Sequence, residues 1–414
     1  MTRVGFFGIL GAGNIGNDAQ FESILGYVRS AHPAAALNAM CSGPERVRDV
    51  YGIDAIPLQY RLGKEPETWE GRSNQGAAAT RKAPGLAKAG RIGLEIAVGL
   101  VRIASWTRKQ DVVIVPGAGV LESGLLLRPW GTPLQLFTLT LSGRVFRTKV
   151  ALVCVGATVN DEPSIRRLFT AAAKLAYYRS YRDEVSRDAM RQQGVDTTRD
   201  QVYADLAFGV PPLEQEPGDT KCVGVGVMAF YGNSADRKLS KVIHESYTEK
   251  LKLLVRQLVD SGRQVRLFVG DSNGSDESIA QEIIADLRSN RPEADQGAVT
   301  MTATRSFADL MRAMEPAGLV VAIRYHNVIC ALNLAKPTVA VAYSPKHQAL
   351  IADLGLAGYW QNVKELDVDL LLKQLDELEE RAEELRPTLR ERHAVKTRLL
   401  DQQFAELSSV LFGR

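Results

Sequence analysis

A chain of 414 residues exceeds what one hydrophobic core usually organises, so its length predicts two domains. With 45% hydrophobic and 24% charged residues it has an ordinary globular composition, and a net charge of +3 is too small to point to nucleic acid, for which no motif is present either. Cys41, Cys154, Cys222 and Cys330 stand singly, without C-x-x-C spacing, and read as small core residues in a reducing compartment with no metal site.

The opening apolar run, VGFFGIL, passes straight into Asn14, Asn17 and Asp18 with no cleavage site, so it predicts a first strand rather than a secretory leader. No apolar run reaches the roughly 18 to 20 residues that span a bilayer. A cytoplasmic protein is expected.

Behind that strand stands GAGNIG, Gly11 to Gly16, with the G-x-G-x-x-G spacing of a dinucleotide-binding turn. Two features count against that use. The second strand, ALNAMCSG, ends in Cys41 and Ser42 with no carboxylate for a ribose, which leaves Arg46 or Arg48 to an NADP variant. Asp18 also puts negative charge in the first helical turn, where a pyrophosphate would sit. The turn reads better as one that presents Asn14, Gly16, Asn17 and Asp18 to a cleft on the acceptor side. There the Asp18 carboxylate can take a proton from a sugar hydroxyl; the plainer role is to complement the helix dipole.

A helix is expected over Asp18–Ser30, then the strand LNAMC. Residues 61–91 are polar, basic and poor in aromatics, and read as a surface insertion. The stretch LEIAVGLVRIASW that follows leaves a membrane-facing or acceptor-binding role open, because a basic amphipathic segment can lie on anionic lipid. DVVIVPGAGVLE, residues 111–122, predicts a strand and a turn in which Gly117 and Gly119 admit a ligand or a neighbouring backbone. Next come a helix over Pro133–Leu141, the strand KVALVCVG, a helix over Ser164–Leu175 and the strand AYYRSYR. Arg182 then stands at a strand end with Asp183 as an N-cap. PPLEQEPGDT, residues 211–220, has the composition of a linker.

Beyond it the alternation restarts with KCVGVGVMAFY, a helix over Lys241–Asp260 and QVRLFVG. VGDSNGSDESIA places Asp271 and Ser272 at a strand end, with Ser275 or Asp276 as a helix cap. A helix over Glu277–Arg288, AVTMTA, a helix over Phe307–Met314, GLVVAIR, the helix YHNVICALNLA and TVAVAYS complete the series. The fold class is α/β, two Rossmann-like lobes facing a cleft. The lobes are residues 1–215, with the insertion at 61–91, and 220–365. The helical segment 366–414 can strap them together.

The most informative stretch is 318–350. GLVVAI delivers Arg324, and Tyr325, His326 and Asn327 open the next helix; TVAVAY delivers Tyr343, Ser344 and Lys346 to the same edge. Ligands of open α/β sheets bind outside the carboxyl ends of the strands, where helix N-termini aim amide donors at anions. Arg324, His326 and Lys346 therefore converge on one phosphate or carboxylate site, the plainer role for His326 being that of a core histidine.

Together GILGAGNIGND, DVVIVPGAG, RDEVS with DLAF, and RYH with YSPK resemble, in order, the motifs of the polysaccharide pyruvyl transferase family. Asn17 and Asp18 stand where the family has aspartate and glutamate, and Pro116 and Ala118 alter its glycine turn. The resemblance implies a fold like that of GT-B glycosyltransferases, phosphoenolpyruvate as co-substrate with no other cofactor, and a sugar acceptor joined as a cyclic ketal. The acceptor's carrier, a lipid among the options with peripheral contact at the inner membrane face, is left open, as is the oligomeric state. Mapped onto this chain, the resemblance implies an acceptor side in residues 1–215 and a phosphoenolpyruvate side in 220–365, with donor contacts at Arg324, Tyr325, Lys346, Tyr343 and Arg182, His326 as acid and Asp18 as acceptor base. A GT-B glycosyltransferase using a nucleotide sugar is the second reading; it wants a ribose-binding carboxylate, for which only Asp353 is near. An NADP-dependent oxidoreductase and a non-catalytic sugar-binding relative follow.

Overall fold

The computed structural model describes residues 1–59, 86–122, 128–213, 218–232, 236, 238–271, 274–294 and 297–413. Most of the expected insertion at 61–91, the middle of the expected linker and Ser272 lie outside that set. The chain divides into two compact units. The first comprises Met1–Gly13, Asn17–Gly209 and Arg398–Arg414, the second Asn14–Gly16 and Val210–Thr397.

The first unit is built on seven strands: β1 (Arg3–Gly8), β2 (Ala36–Cys41), β3 (Asp54–Pro57), β4 (Val112–Pro116), β5 (Lys149–Val155), β6 (Tyr178–Tyr181) and β7 (Gln201–Val202). They lie in the order β3-β2-β1-β4-β5-β6-β7, all pairs parallel. Helices α1 (Ile15–Ala31), α2 (Pro44–Tyr51), α3 (Leu86–Thr107), α4 (Thr132–Phe146), α5 (Pro163–Leu175) and α6 (Glu184–Gln192) connect them. The central strands VVIVP and, after Lys149, VALVCV are unbroken apolar runs, because a parallel sheet with helices on both faces buries both sets of side chains. Phe7, Trp106, Leu139, Leu152 and Phe169 form part of the core that results.

The second unit repeats the plan with β8 (Asp219–Val227), β9 (Gln264–Val269), β10 (Val299–Thr302), β11 (Ala317–Ala322), β12 (Thr338–Ala342) and β13 (Trp360–Asn362). The order is β10-β9-β8-β11-β12-β13, again parallel throughout. Its helices are α7 (Ser240–Asp260), α8 (Ser275–Asn290), α9 (Phe307–Met314), α10 (Tyr325–Asn333), α11 (Pro345–Asp353) and α12 (Val368–Glu380). Strand order reverses between β8 and β11, and between β1 and β4 in the first unit. In sheets of this kind the crevice at the carboxyl ends beside such a reversal takes the ligand.

The C-terminal segment is shared out rather than separate. Helix α12 is tied to the second unit by Arg263, which bonds Asp376 at 2.7 Å and Glu379. The last turns of α13 (Ala382–Leu407) belong to the first unit, where Phe404 stacks on Tyr27 with centroids 4.5 Å apart and Lys149 donates to the carbonyls of Val410 and Leu411. Among the described residues no helix is long and apolar enough to cross a membrane.

The α12 anchor titrates. Burial alone would raise the Glu379 carboxyl, but hydrogen bonds from Lys221 and Arg263 outweigh it and hold the group below its ordinary value. A carboxyl depressed on folding contributes stability that is present above the unfolded value, near 4.5, and is lost as pH falls through the folded one. Glu379→Gln should therefore lower the melting temperature at pH 7, and the gap to wild type should close as pH falls through the depressed folded value. A gap independent of pH would show that Glu379 acts by packing alone.

Candidate active site

In the second unit β11 ends at Ala322, and Arg324 takes the N-cap position of α10 in an extended conformation, so its side chain leaves the sheet at the carboxyl edge. The guanidinium meets two carboxylates there. Its Nε and Nη2 donate to the two oxygens of Asp276, the second at 2.8 Å, and Nη2 lies 3.4 Å from Asp271. Burial works against the guanidinium charge, and Asp276 and Asp271 more than offset it. Arg324 thus arrives at the edge already held in place by two carboxylates, which the sequence did not disclose. Its Nη1 takes no hydrogen-bond partner among the described residues.

Asp276 corrects an expectation. The N-cap of α8 is Gly274, at φ 84° and with no side-chain cap, rather than Ser275 or Asp276. The fully buried Asp276 instead accepts the Ala229 amide at 3.0 Å and pins Arg324. Two glycines make room for this. A Cβ on Gly270 would fall 2.4 Å from the Arg324 Cδ, and one on Gly226 would fall 2.4 Å from the amide nitrogen of the buried Asn327.

Tyr325, Tyr343 and Lys346 gather around a residue that sequence reasoning missed, His347. The Lys346 ammonium lies 5.3 Å from the Tyr325 ring centroid, and the His347 ring stands edge-on to Tyr325 at 5.4 Å and to Tyr343 at 4.3 Å. His347 is fully buried, and its Nδ1 is 3.2 Å from the hydroxyl of Ser344, the N-cap of α11. The signal was available: in SPKH the serine and histidine are three apart at a helix start, so they share a face. His326, in the first turn of α10, is partly exposed and edge-on to Tyr325 at 5.5 Å. Asn14 and Gly16 belong to the same unit. Asn14 pairs with Asp271 in an isolated antiparallel bridge, and a Cβ on Gly16 would fall 2.0 Å from the His326 Cγ and Nδ1.

The first unit gathers a different set. Asp18 is 3% exposed, accepts the Gly11 amide at 2.8 Å and is 3.1 Å from the Arg46 Nε. Burial raises its carboxyl above the ordinary value, against the pull of Gly11 and Arg46. With both oxygens engaged Asp18 closes the turn, which corrects the expectation that it faces a cleft as a base. Gly11, at φ 68°, is needed because a Cβ there would fall 2.3 Å from the Gly43 carbonyl. Asn17 is half-buried two positions into the helix.

Gly117, at φ 47°, and Gly119 do admit close approach, but by the protein itself: Cβ atoms there would meet Gln20 at 2.6 Å and Glu122 at 2.5 Å. Arg182 is buried in the same network, donating to Asp205 at 2.9 Å and Glu122 at 2.6 Å, with Asp183 at 3.5 Å. Gln20 bridges Asp205 to the Ala118 amide. The RDEVS and DLAF motifs are thus joined by an ion pair, Arg182 to Asp205. Asp183 caps α6 as expected, accepting the Ser186 amide at 2.7 Å.

Two sheets of this order define a class of fold. The chain is similar to MurG of Acinetobacter baumannii (12% identity over 97% of this chain and 99% of that one, TM-score 0.52). It is likewise similar to Staphylococcus aureus MnaA in its UDP co-structure (11%, 100% and 98%, TM-score 0.58) and to the UDP-GlcNAc 2-epimerase of Methanocaldococcus jannaschii (9%, 91% and 92%, TM-score 0.55). The fold is that of the GT-B proteins. No curated protein matches the chain. The family model of the polysaccharide pyruvyl transferases matches residues 14–345, and the chain belongs to that family.

Proposed function

We propose that the protein transfers the pyruvyl group of phosphoenolpyruvate to two hydroxyls of one sugar, closing a cyclic ketal and releasing phosphate. The observation that carries this reading is the arginine at the switch edge of the second sheet. Asp276 grips one edge of the Arg324 guanidinium and Nη1 is left over, while His326 stands in the first turn of the helix that Arg324 caps and Lys346 follows the neighbouring strand β12. Phosphoenolpyruvate presents a carboxylate and a phosphate, and a guanidinium held in a fixed plane suits the first while an ammonium suits the second. The Tyr325 ring lies under Lys346, and Tyr343 packs on the neighbouring His347. Arg182, implied as a donor contact by the resemblance, has no part in this reading, because it is buried on Asp205, Glu122 and Asp183.

The chemistry then needs one acid. His326 gives a proton to C3 of the enol, which makes C2 electrophilic, and one sugar hydroxyl adds to C2. The proton from that hydroxyl restores His326. A second hydroxyl of the same sugar displaces phosphate from C2, its proton leaving with the phosphate. Two C–O bonds form, one breaks, and the two hydroxyl protons end on C3 and on phosphate. The donor is a cytoplasmic metabolite, so this reading puts the reaction in the cytoplasm.

The nucleotide-sugar reading draws on the fold neighbours, of which MnaA was solved with UDP. Its candidate ribose carboxylate, Asp353 at the end of α11, is paired with Lys396. The test is phosphate release from phosphoenolpyruvate over a panel of pyranosides, with mass spectrometry of the products. Sugar-dependent release with a pyruvyl adduct is expected. Transfer from a nucleotide sugar without phosphoenolpyruvate turnover would replace this reading by the second.

A further inference from the structure

One face of the first unit has no part in that chemistry. Helices α3 and α4 precede the neighbouring parallel strands β4 and β5, so they run side by side in one direction. On α3 the buried face carries Ile103 and Trp106, while Leu94, Val98 and Val101, spaced four and three apart, form the outer stripe. Leu94 is 53% exposed and Val101 65%. On α4 Leu141 and Val145, one turn apart, are 41% and 65% exposed, with Phe146 beside them. The Arg108 guanidinium lies 5.9 Å from the Phe146 ring centroid and joins the two stripes at their C-terminal ends.

The charge on these helices together with the residues flanking them is one-sided. Residues 90–109 and 128–147 hold seven arginines and lysines and one acid, Glu95, which Arg91 engages at 3.0 Å. That is a net +6 where the whole chain carries +3, so the remainder is net −3.

We propose that this face docks on an anionic lipid bilayer. Leu94, Val98, Val101, Leu141, Val145 and Phe146 bed into the boundary between headgroups and acyl chains, and the flanking arginines reach the lipid phosphates. Contiguous apolar surface on a soluble domain marks an interaction site, and the basic rim selects the partner. A second copy of the chain would bring two faces of the same charge together, which disfavours it. The proposal is independent of the identity of the donor.

Co-sedimentation of the full chain with vesicles tests it, using phosphatidylcholine alone and phosphatidylcholine with phosphatidylglycerol. We expect the protein to pellet with the anionic vesicles and at least tenfold less with neutral vesicles or at high salt. Leu94→Glu with Val101→Glu should lower the anionic partition tenfold or more with an unchanged melting curve. Should that pair fail to fold, Arg102→Glu with Lys109→Glu gives the same readout through charge alone. Absence of binding, equal binding by the variants, or a dimer in light scattering that Val101→Glu dissolves would overturn the proposal.

Discussion

Replacing His326 by alanine is expected to lower kcat by about two to four orders of magnitude, the usual contribution of a positioned acid or base. Affinity for phosphoenolpyruvate should change by only a few-fold, because in this account the donor is held by Arg324 and Lys346. His326 is partly exposed in the first turn of α10 and is not part of the buried core, so its removal should leave the fold intact. The measurement is steady-state phosphate release beside a calorimetric titration of the same variant. His326→Gln separates the proton from the shape: it keeps a polar side chain with no titrating group and should be nearly as slow as alanine. Turnover within a few-fold of wild type in both variants would remove His326 from the mechanism.

The largest effect on stability should come from Asp205. It is 2% exposed, it is the carboxylate closest to complete burial on Arg182, and it also accepts both bonds from Gln20. Asp205→Leu removes the carboxylate and leaves Arg182 buried with Glu122 and Asp183, while Gln20 loses the partner that aims it at Ala118. Taking the acceptor away from buried donors costs about 1 to 3 kcal/mol for each, and here both the Arg182 Nη1 and the Gln20 amide lose theirs. Asp205→Asn should cost less, because the amide oxygen still accepts from Arg182 or Gln20. Urea unfolding followed by a probe in the first unit checks both. Equal, small losses for the two variants would mean that the network carries little of that unit's stability.

These expectations differ in how far the sequence alone supports them. The alternation of strands and helices was legible because strands such as VVIVP and TVAVA are buried on both faces and so appear as unbroken apolar runs. Short edge strands were not. β7 has two residues and β13 three, too few for any periodicity to register. In the site, sequence placed Arg324, Tyr325, His326, Tyr343 and Lys346 at strand ends, because the last residues of a buried strand are located by where the apolar run stops. What it could not supply was partnership. Asp276 follows a loop and opens a helix, so locally it is indistinguishable from a cap, and the arginine it holds is 48 residues away. GAGNIG poses the same problem. Its glycines imply close approach but not to what, and the structure answers with the Gly43 carbonyl for Gly11 and the His326 ring for Gly16. A negative charge at the helix start argues against a pyrophosphate and so points Asp18 toward a cleft, but the Gly11 amide and Arg46 draw it inward, partners the local sequence does not reveal.

The central claim is that the second unit holds phosphoenolpyruvate through a pinned arginine, and calorimetric titration tests it most directly. Wild type and Arg324→Ala would each be titrated with phosphoenolpyruvate, UDP and NADPH. The account predicts saturable binding of phosphoenolpyruvate alone to the wild type, weakened by roughly 2 to 5 kcal/mol in Arg324→Ala, as for loss of one partner of a buried charge pair. Saturable binding of UDP or NADPH with none of phosphoenolpyruvate, or phosphoenolpyruvate binding that Arg324→Ala leaves unchanged, would contradict it.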